Sequence, residues 1–225
     1  IYSQCHLQSG MNVLELGCGD GALWKQNISL LPQNIHLTLS DISDGMLRDA
    51  RRALGARDSR FSFAAFDCEK IPAASESYDL VIANHVLFYC DNLENVCKEV
   101  RRVLKPGGRF LCSTYGNSHM KEISQLVSQF DERIVLSANK LYEKFGRENG
   151  AQVLEPWFSR VEWISYEDGL LVSDPEPLIS YILSCHGNQN QYLLDHYKEF
   201  RSFVKKKTEK GFHITKDAGI FICNY

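Results

Sequence analysis

The segment Glu15-Leu16-Gly17-Cys18-Gly19-Asp20-Gly21 constrains the fold more than any other stretch of the chain. Three glycines at alternate positions permit a tight turn and leave no side chains where a ligand approaches the backbone. Immediately before them, Val13-Leu14-Glu15-Leu16 is a short apolar run that reads as a buried strand. A helix is expected after them, from about Gly21 to Leu30, closed by Pro32. The loop therefore follows a strand and opens a helix. That context separates it from an ordinary glycine-rich turn.

The same alternation continues through the first half. Ile35 to Leu39 reads as a second strand, and Ser43-Asp44 caps a helix carrying Met46, Leu47, Ala50 and Leu54 at helical spacing. Phe61 to Phe66 is a third strand and Tyr78 to Ala83 a fourth, apolar on both faces. Leu93, Val96, Val100 and Leu104 mark a helix that Lys105-Pro106-Gly107-Gly108 terminates, and Arg109 to Ser113 is a fifth strand. Near-continuous apolar strands alternating with helices predict a parallel sheet covered on both faces. Residues 1–115 are thus expected to form a doubly wound α/β core.

The second half changes character. Met120, Ile123, Val127 and Phe130 fit one helix face, and Leu141, Tyr142 and Phe145 another, ending near Gly150. Val161 to Tyr166 reads as a strand. Ser173-Asp174-Pro175-Glu176 starts a helix through Leu178, Ile179, Ile182 and Leu183. The polar stretch 187–191 interrupts, and Tyr192, His196, Phe200 and Phe203 continue on a further helix. Phe212 to Tyr225 reads as two short β segments joined by Lys216-Asp217-Ala218-Gly219. No linker composition or repeat divides the chain. One domain over 1–225 is expected, with helical elaborations at 116–160 and 173–210 in the position of a lid, and terminal strands at 211–225.

Composition narrows the function classes. A formal charge of −3 lacks the basic footprint of a nucleic-acid binder, and Lys205-Lys206-Lys207 reads as a solvated helix C-terminus. No apolar run approaches the roughly 18 residues of a membrane span, and no signal-peptide pattern is visible. The eight cysteines include no C-x-x-C pair and sit largely in apolar runs, as in Phe110-Leu111-Cys112. They read as buried hydrophobes in a reducing compartment, so a cytoplasmic setting is expected. The seven histidines are scattered with no metal-ligand spacing, so no metal is expected.

The glycines alone leave two cofactors open. Gly17-x-Gly19-x-x-Ala22, with Asp41 further on, also satisfies a loose dinucleotide pattern. A carboxylate at Glu15, with no Lys or Arg in the loop, is less comfortable beside a pyrophosphate than beside a cation. Val13 to Gly21 closely resembles the first motif of class I S-adenosylmethionine-dependent methyltransferases, an acid followed by x-Gly-x-Gly-x-Gly. Leu37-Thr38-Leu39-Ser40-Asp41 is similar to that family's second strand, Phe66-Asp67-Cys68 to the segment after its third, Ser77 to His85 to its fourth strand and exit, and Leu104 to Phe110 to the turn into its fifth. The resemblance covers residues 11–113, and it is the ordered set rather than any one piece that is specific. It implies a Rossmann-like sheet, mostly parallel with an antiparallel last strand, and S-adenosylmethionine as cofactor. It also implies a pocket from Glu15, Leu16, Gly17, Cys18, Gly19, Gly21, Asp41, Ile42, Asp67, Cys68, Asn84 and His85, with Asp41 on the ribose hydroxyls and Asp67 on the adenine amino group. The alternatives are Asp41 as a helix-initiating residue and Asp67 as a turn residue.

Ala83-Asn84-His85-Val86-Leu87-Phe88-Tyr89 is similar to small-molecule methyltransferases of the quinone-biosynthesis type. A strand exit at the carboxyl edge of the sheet is where ligands bind. His85 is the candidate catalytic base, or else a packing histidine. His119 and His186 are weaker candidates, and Tyr89, Tyr115 and Tyr142 could orient an acceptor. The expected activity is in-line methyl transfer to a small molecule by a monomer or homodimer, without nucleic acid or membrane as partner. A nicotinamide-dependent oxidoreductase and a non-catalytic cofactor-binding module are the alternatives. No Tyr-x-x-x-Lys supports the first, and the intact Gly17, Gly19, Asp41 and Asp67 argue against lost cofactor binding but do not prove turnover. No Asn-Pro-Pro-Tyr motif follows the fourth strand to suggest a flipped base.

Overall fold

A computed structural model describes residues 1–55, 58–137 and 140–225. In chain order the elements are α1 (Tyr2–Cys5), β1 (Asn12–Leu16), α2 (Ala22–Asn27), β2 (His36–Asp41), α3 (Asp44–Leu54), β3 (Phe61–Ala65), β4 (Tyr78–Asn84), α4 (Leu93–Val103), β5 (Leu104–Tyr115), α5 (Lys121–Phe130), α6 (Leu141–Lys144), α7 (Gly150–Leu154), β6 (Arg160–Val172), α8 (Pro175–Ser184), α9 (Gln189–Leu193), α10 (Tyr197–Thr208) and β7 (Phe212–Asn224). The strands form a sheet in the order β3-β2-β1-β4-β5-β7-β6. The chain divides into two compact units: Ile1–Thr114 with Phe145–Ile164 and Gly219–Tyr225, and Tyr115–Lys144 with Ser165–Ala218.

The first unit holds the parallel core. β1 pairs in parallel with β2 and with β4, β2 with β3, and β4 with β5. The strand order therefore reverses beside β1, and the connections from β1 to β2 and from β4 to β5 run to opposite sides there, the position at which ligands of such sheets bind. β7 runs antiparallel to β5: Tyr225 N–H donates to the Gly108 carbonyl, and Gly116 N–H to the Asp217 carbonyl. The expected Rossmann-like sheet, mostly parallel with an antiparallel last strand, is the observed one.

Alternation along the strands places Val13, Leu37, Leu39, Leu80 and Ile82 on one face, in a single apolar cluster with Trp24 of α2 and Leu47, Ala50 and Leu54 of α3. Leu14, Leu16, Val81 and Ala83 alternate with them and are equally buried, which is why the strands read as continuous apolar runs. Ser43 caps α3 as expected, its hydroxyl accepting from Met46 N–H at 3.4 Å. No helix links β3 to β4. The connecting loop is instead clamped to α4: Arg102 donates to the carbonyls of Ile71 and Ala73 at 2.8 and 2.7 Å, and Glu99 accepts from Ile71 N–H at 2.9 Å.

Two local expectations are corrected. Lys105 to Gly108 was expected to stand outside the fifth strand, but β5 begins at Leu104 and carries these residues as a bulge opposite the register shift between Tyr78 and Leu80. The bulge is anchored by Lys105 Nζ on both Asp79 oxygens, each at 2.9 Å. Phe212 to Asn224 is one strand rather than two segments, because Gly219 is a close-approach residue and not a turn. A Cβ there would lie 2.4 Å from the Ile164 carbonyl oxygen and from the Trp163 ring.

The second unit is built from two inserted stretches of the chain. Its core joins Ile123, Leu126 and Val127 of α5 to Leu178, Ile179 and Ile182 of α8 and to Phe200 and Val204 of α10. Asp174, rather than Ser173, caps α8 by accepting from Glu176 N–H. Among the described residues no helix is long and apolar enough to cross a membrane.

Candidate functional site

The turn after β1 is tied to the end of β2. Cys18 N–H donates to the Ser40 carbonyl at 2.8 Å, and Gly19 N–H to Asp41 Oδ2 at 3.0 Å. Asp41 Oδ1 accepts from Ser43 N–H at 2.9 Å, so one carboxylate joins the glycine turn to the start of α3. Each oxygen keeps a second lone pair for a ligand. Asp41 is therefore a helix-initiating residue and a cavity residue at once; the two readings of the sequence do not compete.

The glycines have separate duties. Gly17 stands at φ +65°, and a Cβ on it would lie 2.4 Å from Val86 Cγ2. The close approach is thus made by the exit of β4 folding down onto the loop. Gly21 stands at φ +78°, where a Cβ would press on Ala50 and Leu54 of α3 at 3.1 to 3.4 Å. It lets α2 and α3 pack.

A cavity of about 390 Å³ opens at this edge of the sheet, lined by Gly17, Asp41, Ile42, Asp67, Cys68 and His85 of the expected set. The wall also includes Phe66, Glu69, Val86, Tyr89, Cys90 and Asp91. Among its described residues the lining has four carboxylates and no Lys or Arg. The site therefore presents a negative field to its occupant. Asp67 Oδ1 accepts from Glu69 N–H at 2.9 Å. Ile42 is 76% exposed, an apolar side chain held out on the cavity wall.

The other expected residues frame the cavity without lining it. Leu16, Cys18 and Gly21 are buried in or beneath the turn. Burial pushes the Cys18 thiol up, so it is no nucleophile at neutral pH. Glu15 is 2% exposed and on the same strand face as Val13, where Trp24 Nε1–H donates to its Oε2 at 2.5 Å. Burial pushes its carboxyl up to about 8, against the Trp24 hydrogen bond and with a smaller push from Asp41. Asn84 Oδ1 accepts from Ser113 Oγ–H at 2.6 Å, and Ser113 Oγ accepts from His85 N–H at 2.9 Å. That relay holds His85 at φ +56°, in the left-handed region that a non-glycine residue occupies at a cost. His85 is exposed on the cavity wall with its ring 6.3 Å from Phe88.

Tyr89, expected to orient an acceptor, lines this cavity, whereas Val86 and Cys90 were not singled out and only the fold brings their turn over the glycines. Phe66 and Glu69 flank Asp67 and were within reach of its segment. His119, Tyr115 and Tyr142 belong to the second unit and are not among the described lining residues of this cavity.

The fold and the glycine turn are those that the resemblance to class I S-adenosylmethionine-dependent methyltransferases implies. Residues 14–112 match the family model of a methyltransferase domain, and S-adenosylmethionine is the cofactor of that class. The chain is similar, at 33% identity over 124 residues, to a malonyl-[acyl-carrier protein] O-methyltransferase of Enterobacter lignolyticus, covering 54% of this chain and 45% of the relative. It is 34% identical over 126 residues to a highly reducing polyketide synthase of Calcarisporium arbuscula, covering 54% of this chain and 5% of that protein. The chain thus spans less than half the length of these curated relatives. A solved structure of a Haemonchus contortus phosphoethanolamine N-methyltransferase with S-adenosylhomocysteine shares the fold at a TM-score of 0.59 and 17% identity, covering 100% of this chain and 51% of that one.

Proposed function

We propose that this chain transfers a methyl group from S-adenosylmethionine to a small-molecule acceptor. The observation that carries the reading is the cavity lining: four carboxylates and no Lys or Arg among its described residues, beside a glycine turn at the strand-order reversal. Such a lining suits a cation rich in hydroxyl and amino donors and repels a pyrophosphate, which disfavours a nicotinamide cofactor. In this reading Asp41 accepts from the ribose hydroxyls and Asp67 from the adenine amino group. Ile42 covers an apolar face, and Leu16, Gly17, Cys18, Gly19 and Gly21 supply the turn that lets the ligand reach the backbone. Glu15 braces the turn from below through Trp24, Cys68 belongs to the wall, and Asn84 fixes the backbone of His85.

When bound, S-adenosylmethionine supplies a methyl group on a sulfonium, activated for in-line displacement. What remains for the protein is to align the acceptor, exclude water and, for a hydroxyl acceptor, remove a proton. His85 is the base we assign, at the exit of β4. We take the two compact units as parts of one methyltransferase domain, since the second is made of stretches inserted into the first unit's chain. Eight free cysteines, six of them buried, support a reducing, cytoplasmic setting. We take the protein to act as a monomer or homodimer, without a nucleic-acid partner.

The test is methyl transfer from isotopically labelled S-adenosylmethionine across a panel of phenols, carboxylates, amines and thiols. Labelled product from at least one class is expected. Cofactor binding with no transfer to any class would favour a non-catalytic module instead.

A further inference from the structure

The second unit contains a cavity of about 780 Å³, within the size range of small-molecule sites. Its wall includes Tyr115, His119, Met120, Lys121, Tyr142 and Tyr181. Tyr115 stacks at a tilt on His119, with centroids 5.1 Å apart, and meets Tyr142 edge-on at 6.4 Å. Tyr181 Oη lies 3.8 Å from Met120 Sδ. Aromatic rings with a polarizable thioether form a surface suited to a flat ring.

The charge pattern is the reverse of the cofactor cavity. Its described lining contains two lysines, Lys121 and Lys140, and no carboxylate. Lys140 is paired with Glu143 at 3.1 Å. Lys121 has no ion-pair partner among the described residues. The acid beside it is turned away, because Glu122 accepts from Thr215 N–H and Oγ1–H at 3.0 and 2.6 Å.

His119 adds a polar group. Its Nδ1 is buried with no hydrogen-bond partner among the described residues. Either a donor or an acceptor left unpaired there costs about 1–3 kcal/mol, which a ligand group bonded to the ring would offset. Burial also holds the imidazole below its usual range, opposed by Asp217 and aided by Lys216. The ring that lines the cavity is thus a neutral polar group among the aromatic rings.

We propose that this cavity is a ligand site of the second unit in its own right, taking a planar aromatic molecule that carries a carboxylate. The inference does not rest on methyl transfer. The probe is 2-naphthoate, titrated calorimetrically into the full chain, with neutral 2-naphthamide and S-adenosylhomocysteine as parallel titrations. Saturable 2-naphthoate binding is expected, weakened about three- to tenfold by Lys121→Gln and about tenfold by Tyr142→Ala. The amide should bind more weakly than the acid to the wild type, and equally to both proteins in the Lys121→Gln comparison. S-adenosylhomocysteine affinity should be unchanged in both variants, and circular dichroism matching the wild type shows that they are folded. Absence of saturable 2-naphthoate binding up to about 5 mM overturns the proposal. So does binding indifferent to both substitutions, and an amide that binds as tightly as the acid removes the anionic requirement and overturns it as stated. Loss of S-adenosylhomocysteine binding in the wild type would count against the proposed function and not against this site.

Discussion

Gly17→Ala tests how the site is assembled. The residue stands at φ +65°, and its missing Cβ would lie 2.4 Å from Val86 Cγ2 and 3.0 Å from Val86 Cβ. Holding alanine in the left-handed region costs about 1–2 kcal/mol. Forcing a methyl group into a filled contact costs about 1–3 kcal/mol more, since Val86 hangs from the backbone that positions His85. The sum is about 2–5 kcal/mol. All three tryptophans, Trp24, Trp157 and Trp163, belong to the first unit, so tryptophan fluorescence during urea unfolding reports that unit alone. Gly17→Ala should lower its unfolding free energy by that amount and weaken S-adenosylhomocysteine binding. Adding Val86→Ala removes the shorter contact and leaves the backbone strain. The double variant should therefore be more stable than the sum of the single effects by about 1–2 kcal/mol. A loss under about 0.5 kcal/mol for Gly17→Ala, or strict additivity with Val86→Ala, would refute the close-approach argument.

Two further outcomes follow from buried and strained groups. Because the Glu15 carboxyl is raised to about 8 from an ordinary 4.5, the folded protein keeps a proton that the unfolded chain releases. Stability should then fall as pH rises from about 4.5 to 8, by at most ~5 kcal/mol at about 1.4 kcal/mol per pH unit. Glu15→Gln should remove that decline, as urea unfolding at several pH values would show; parallel wild-type and variant profiles would dismiss it. His85→Gly relieves a left-handed non-glycine residue and should stabilise the first unit by up to about 1 kcal/mol. It should also slow transfer to a hydroxyl acceptor about 100-fold while leaving cofactor affinity nearly unchanged, and unaltered turnover would leave His85 a structural residue.

The parallel core was legible because its strands are buried on both faces and its turns carry glycine, proline and capping residues. Ser43 and the loop from Glu15 to Gly21 read correctly for local reasons. What escaped was non-local. Nothing in Gly219 distinguishes a turn glycine from one pressed against Trp163, and nothing in Lys105 to Gly108 distinguishes a loop from a bulge anchored on Asp79. At the site, the sequence pointed to Asp41, Ile42, Asp67, Cys68 and His85, and these line one cavity. The burial of Glu15 against Trp24, and the descent of Val86 onto Gly17, depend on strand alternation and on a crossover of about seventy residues in sequence. The aromatic cavity of the second unit lay outside the sequence reading, since its lining is drawn from helices and loops far apart in the chain.

We propose that the acid-lined cavity at the end of β1 holds S-adenosylmethionine. Calorimetric titration of S-adenosylhomocysteine and of NAD, into the wild type and Asp41→Ala, tests it most directly. The account predicts one-to-one binding of the thioether, none of NAD, and an affinity lowered about tenfold or more in Asp41→Ala, which loses ligand contacts together with the Gly19 and Ser43 anchors. Tight binding of NAD with none of the thioether, or a thioether affinity indifferent to Asp41, would contradict it.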